Sequence, residues 1–143
     1  MLASTEKLIK IFEECGLRHR VDGNFSVDSD VISVRMKHAG IAYTDFALFM
    51  ADSCTEASIE AIAGKTTPKQ RPVCLEILNQ LTKKQKWMRY TINDNNIISA
   101  QIQVVATEQT LPSLTFQLLC HAADCVAECK RQLKESGVNI VLP

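Results

Sequence analysis

Three residues near the C-terminus have the types and spacing that chemistry would need. His121, Cys125 and Cys129 are four residues apart, so on one helix they form a row that could present three zinc ligands or a thiol-redox pair. The same row coincides with an apolar stripe in which Cys125 and Cys129 are central and His121 is at the edge, and no fourth ligand is evident. Buried cysteines commonly serve as small hydrophobes, so packing is the preferred role, and neither metal nor cofactor is expected.

Other motifs fail on inspection. Gly64-Lys65-Thr66 resembles the end of a phosphate-binding loop, but the earlier glycine would fall at Ile59 and Pro68 follows too soon for direct entry into a helix. Asp22, Asn24, Ser26, Asp28 and Asp30 place oxygens at every second position, as calcium would require. The two landmark positions of such a loop, however, are Val27 and Ser33 instead of glycine and glutamate. Of the histidines at 19, 38 and 121, His19 stands between Arg18 and Arg20 and His38 follows Lys37, neither with an evident local carboxylate to orient it, and no G-x-S-x-G or H-E-x-x-H pattern occurs. No catalytic residue is assigned, and the chain is expected not to be an enzyme.

Lys83, Lys84, Lys86 and Arg89 interleave with Trp87 and Tyr90, a mixture that could neutralise phosphates and stack bases. The lysines serve more simply to complement a helix C-terminus and keep a sheet edge soluble, and nucleic acid is therefore the disfavoured partner. The same cations could meet an acidic protein. Lys86, Trp87 and Arg89 are accordingly the candidate partner-binding residues, with Trp87 and Arg89 expected on one face of a strand.

The elements that must position these groups follow from periodicity. Ser4 and Thr5 precede an amphipathic stretch with Leu8, Ile11, Phe12 and Cys15 on one face and Gly16 after it, predicting a helix over about 5–15 with a hydroxyl N-cap. A turn-rich Val21-Asp22-Gly23-Asn24 follows, then strands over 31–37 and 43–51 around a turn at Gly40. Residues 57–63 alternate imperfectly and are assigned to a strand in preference to a short helix. A second helix covers 69–84, with Val73, Cys74, Ile77, Leu78 and Leu81 on one face. Strands over 87–92 and 97–106 flank Asn93-Asp94-Asn95-Asn96, residues suited to a hairpin turn. From Pro112 a stripe of Leu114, Leu118, Ala122, Cys125, Cys129 and Leu133 predicts a last helix, ending before Gly137.

The expected architecture is α+β: an antiparallel sheet of about five strands flanked by three helices, in the order α-β-β-β-α-β-β-α. The 143 residues suit a single domain, 1–143. With 46% hydrophobic and 22% charged residues the composition is that of a globular protein. No apolar run is long enough to span a bilayer, the start carries Glu6, Lys7 and Lys10, and the six cysteines include no C-x-x-C pair. No membrane association and a cytoplasmic location are expected. Sixteen basic and sixteen acidic residues cancel overall. Locally they do not: residues 65–90 carry seven basic groups and one acidic, a net of +6.

The stretch from Arg71 to Thr82 carries Leu75-x-x-Leu78-Asn79-x-Leu81-Thr82, and Lys86-Trp87-Met88-Arg89-Tyr90 opens the segment that runs to Asp94 and the strand from Ile97 to Val105. Together they resemble the YbjN-like family, whose members have an L-x-x-L-N-x-L-N-like helix, a K-[WF]-x-[KR]-[FY] strand, an acidic turn and a second strand. The similarity extends over roughly residues 30–134, with 71–105 its specific part. The resemblance implies a fold similar to type III secretion chaperones, in which helices pack on an antiparallel sheet that often pairs across a homodimer. It also implies a chaperone-like or regulatory protein-binding role, with no catalytic residues to carry over.

Overall fold

Alternation of buried and more exposed side chains along the strands makes the middle of this chain a sheet with one wet face. The computed structural model describes residues 1–26, 29–37 and 43–141. Helix α1 spans Ala3–Glu14. Strands β1 (His19–Ser26), β2 (Ser29–Met36), β3 (Thr44–Ala51) and β4 (Glu56–Lys65) follow. After a 3-10 turn over Pro68–Gln70 come α2 (Arg71–Lys84), β5 (Arg89–Ile92), β6 (Ile97–Val105) and α3 (Leu111–Glu135). The sheet is antiparallel throughout, in the order β1-β2-β3-β4-β6-β5.

Ile32, Leu48, Ile59 and Ile102 form a cross-strand row, each opposite the next, and all are buried. Their neighbours one residue along, such as Ser33, Ala47, Glu60 and Gln101, point to the other face. Helix α3 packs along β4 and β6 on the apolar face and α1 packs against α3, so Leu8, Phe12, Leu111, Leu119 and Leu133 are fully enclosed. Burying each such side chain stabilises the fold by roughly 1.5–3 kcal/mol before entropy is counted. Helix α2 carries the chain past the position of β6, so β5 becomes the edge and β6 returns beside β4.

The expected fold class holds, with one strand more than the sequence suggested. Val21-Asp22-Gly23-Asn24 is inside β1, not in a turn: His19 to Asp22 pair with Val34 to Val31, and the register then shifts before Ser26 pairs with Ser29. A glycine-containing strand that breaks register in this way is bulged, and pairing with β2 overrides its turn-like composition. Residues 57–63 are strand, as assigned. The Gly40 turn, His38 and Asp28 lie outside the described residues.

Three local expectations are corrected. Ser4 and Thr5 do not cap α1, because both are buried inside its first turn with hydroxyls that have no partner, and the N-cap is Leu2. The end is satisfied by Asp30 of β2, whose Oδ2 accepts the Leu2 N–H at 2.8 Å, a tertiary cap invisible to local pattern. On α3 the buried face is centred on Leu111, Thr115, Leu119, Val126, Cys129 and Leu133, which leaves Leu114 and Leu118 only half-buried at the flank. Finally, β5 begins at Arg89 and not at Trp87, whose φ of +66° removes it from the strand.

Candidate functional site

The short loop between α2 and β5 brings the suspected residues together. Helix α2 ends at Lys84; Gln85 closes it by donating its N–H to the Leu81 carbonyl. The Gln85 side-chain amide then reaches across to α3, where Nε2 donates to the Cys125 carbonyl at 3.2 Å. Tyr90 donates its hydroxyl to Gln85 Oε1 and lies 3.2 Å from the same Cys125 carbonyl. Burial holds the Tyr90 phenol far above its ordinary pKa, so it stays a neutral donor. Gln85 on the loop and Tyr90 on β5 thus lock this corner to one point of α3.

One residue along, His121 Nε2 is 2.9 Å from the Lys86 carbonyl, and the Trp87 indole meets the His121 ring edge-on at a centroid distance of 5.6 Å. Met88 turns into the core while Trp87 stays 66% exposed. Opposite destinations for adjacent side chains are reached here through the left-handed backbone at Trp87. That conformation costs a non-glycine residue roughly 1 kcal/mol or more, and it persists because the anchored neighbours over-determine it.

Of the row on α3, His121 and Cys125 are in contact, with Cys125 Sγ 3.4 Å from His121 Nε2 and 3.9 Å from Nδ1. A carbonyl can only accept, so the bond to Lys86 requires Nε2 to carry the proton. The nitrogen nearer the thiol is therefore a donor and cannot take the thiol's proton. Burial, with Asp124 adding to it, pushes the Cys125 thiol up to about 11, opposite to the direction a nucleophile or ligand needs. Cys129 is enclosed, interacts with Cys74, and is pushed up to about 12, chiefly by burial. Among the described residues no three His, Cys, Asp or Glu side chains converge as a metal site would require. The row acts as packing plus one anchor for the Trp87 loop.

Gly64-Lys65-Thr66 also finds its place, as a joint and not a phosphate cradle. The register of β4 on β6 shifts between Ile62 and Gly64, and Lys65 then exchanges backbone hydrogen bonds with Val141 at 2.7 and 3.0 Å. At Gly64, φ is +149° and a Cβ would fall 1.9 Å from Ile140 Cγ2. Only glycine lets the C-terminal segment lie against the strand there. Gln70 completes the joint, donating to the Gly137 carbonyl and accepting the Asn139 N–H, both at 2.9 Å. Lys65 and Thr66 supply no free loop of amides, since the Thr66 N–H is spent on the Asn96 carbonyl.

The cations flank the Trp87 loop. Lys83, Lys86 and Arg89 are exposed, and none forms a salt bridge with a described carboxylate. Arg71, by contrast, is consumed internally, donating to the Asn93 carbonyl and to Asn96 Oδ1 across the β5–β6 turn. Asn93 closes that turn by accepting the Asn95 and Ile97 N–H groups at 2.9 Å, with Asn96 at φ +60°, as its composition predicted.

Sequence reasoning missed one component. Strand β5 pairs with Ile98 to Gln101 of β6, so among the described residues Ile102 to Val105 have no strand on that side. The left-handed Trp87 diverts the chain before it could cover them. Val105 is 69% exposed. No signal in β5's composition marked where it would stop, because the break depends on contacts with α3.

No family model and no curated protein matches the chain by sequence. Among solved structures, the crystal structure of YbjN from E. coli, a suggested transcription regulator, aligns over 100% of both chains with a TM-score of 0.57 at 11% identity. No helix among the described residues is long and apolar enough to cross a membrane. The α+β arrangement of this chain is thus the YbjN-like fold.

Proposed function

We propose that residues 1–143 form one non-catalytic protein-binding domain, chaperone-like or regulatory, which works as a homodimer in the cytoplasm and meets its partner through Lys86, Trp87 and Arg89. One observation carries the reading: the chain's sole tryptophan is held outward in a strained backbone by neighbours that are themselves fixed to α3. Strain retained at an exposed aromatic is the pattern of a recognition site, where tryptophan and arginine carry a disproportionate share of binding energy. The regulatory role suggested for YbjN supports the same class of function. The raised thiols at 125 and 129 argue for chemistry elsewhere or none.

The test compares the natural chain with Lys86→Glu/Arg89→Glu in native pull-downs, with light scattering on each. The expected result is a partner retained by the natural chain and lost by the double variant, with the mass of two chains in both. Identical retained proteins for both would remove this corner from the reading, and a strictly monomeric mass would remove the homodimer.

A further inference from the structure

Arg89, two residues after Trp87, pairs with Gln101, and past Gln101 no strand among the described residues lies on that side of β6. Asn93 donates its N–H to the Ile97 carbonyl across the hairpin, so Ile97 faces β5. Backbone groups alternate sides along a strand, which turns Gln103 and Val105 in the same direction. Ala106, one residue out of phase with them, donates the other way to Thr55 beyond β4. Past Gln101, then, the outward N–H and C=O groups of Gln103 and Val105 have no strand opposite them among the described residues. A row of this kind is a template for another strand.

The cations decide which strand. Lys83, Lys86 and Arg89 lie around the loop that borders this edge, in the segment with a net charge of +6. A second copy pairing edge to edge would set these clusters against each other, so self-association here is disfavoured. An extended segment rich in Asp and Glu would instead meet complementary charge.

We infer that an acidic, extended segment of a partner protein adds as a strand to Gln103–Val105 of β6, in line with β5, with its side chains against Trp87, Lys86 and Arg89. This rests on the protein-binding reading above and gives that site a partner class and a binding mode. Backbone pairing supplies affinity that any extended segment could share, and the cations with Trp87 supply the selection.

The probes are blocked decapeptides of alternating glutamate and valine, or lysine and valine, and a ten-nucleotide oligothymidine, each titrated into the intact chain at neutral pH. Two signals are followed: emission of the sole tryptophan, and hydrogen exchange of the Gln103 and Val105 amides. The glutamate peptide is expected to shift the emission and slow both amides, and to bind more tightly than the lysine peptide. Val105→Pro removes an outward N–H that has no ladder partner, and should weaken that peptide by about tenfold, the scale of one or two backbone hydrogen bonds. Should that variant fail to fold, Arg89→Glu carries the test, with the preference between the two peptides expected to narrow or reverse. An emission shift without slowed amides would overturn strand addition while leaving a protein-binding corner in place. The inference is equally overturned by oligothymidine binding more tightly than the glutamate peptide, or by no response to either peptide.

Discussion

Single residues carry the clearest consequences. Gly64 was singled out in the sequence as part of a phosphate-loop fragment, and its necessity turns out to be steric. Alanine there would clash with Ile140 and strain the backbone, so Gly64→Ala is expected to destabilise by about 2 kcal/mol or more in urea melts. Adding Ile140→Ala should recover only the part due to the clash, leaving the backbone term. Trp87 gives the opposite case. Glycine tolerates φ of +66°, so Trp87→Gly trades an exposed ring contact for relief of strain and should change stability by less than about 1 kcal/mol. Partner binding should nevertheless be lost, which calorimetric melting together with pull-down would separate. The buried thiols supply a pH dependence. In the unfolded chain thiols lose their protons near pH 8.5, whereas Cys125 and Cys129 hold theirs to about 11 and about 12. Their raised values favour the folded state fully below the unfolded pKa, and that contribution is lost as pH rises from there through the folded values. Alkaline unfolding is therefore expected between about pH 9 and 12, and Cys129→Ala should flatten it. At neutral pH a thiol reagent should label exposed Cys15 quickly and Cys129 only on unfolding.

At the scale of elements, local pattern was sufficient wherever the decisive interactions are local. The β5–β6 turn formed as predicted because Asn93 and Asn96 satisfy it within four residues. The end of α3 behaves likewise: Gly137 at φ +75° donates to the Lys134 carbonyl and Val138 donates to that of Leu133, the pairing a C-terminal glycine allows. Where the deciding partner is distant, the sequence misled. Asp30 caps α1 from 28 residues away, β2 recruits a turn-like segment as a sixth strand, and α3 shortens β5 by anchoring Gln85 and Lys86. Asp30→Ala should cost about 1–2 kcal/mol through the lost cap, read as earlier fraying of α1 in amide exchange. Lys86, Trp87 and Arg89 were legible as a cluster from composition alone, but the geometry that groups them is not the shared strand face expected. Trp87 is exposed because it is outside the strand.

On the scale of the whole molecule, the sheet divides the labour. Its apolar face, with α1 and α3, supplies the stability, and Leu119→Ala at the centre of that layer should cost about 2–5 kcal/mol. Cys125 and Cys129 of α3 are buried in this layer, and His121 at its edge anchors the Trp87 loop. Recognition is proposed at the β5–β6 edge, where, among the described residues, an anchored corner, backbone with no strand opposite it and cations without a salt bridge coincide. The most direct measurement is site-specific photo-crosslinking with a photoreactive phenylalanine in place of Trp87, and in place of Lys10 on α1 as a control, in otherwise natural chain under native conditions. The account predicts one protein partner captured from position 87, absent from position 10, and reduced by Arg89→Glu. Equal capture from both positions, or capture at 87 unaffected by reversing Arg89, would contradict it.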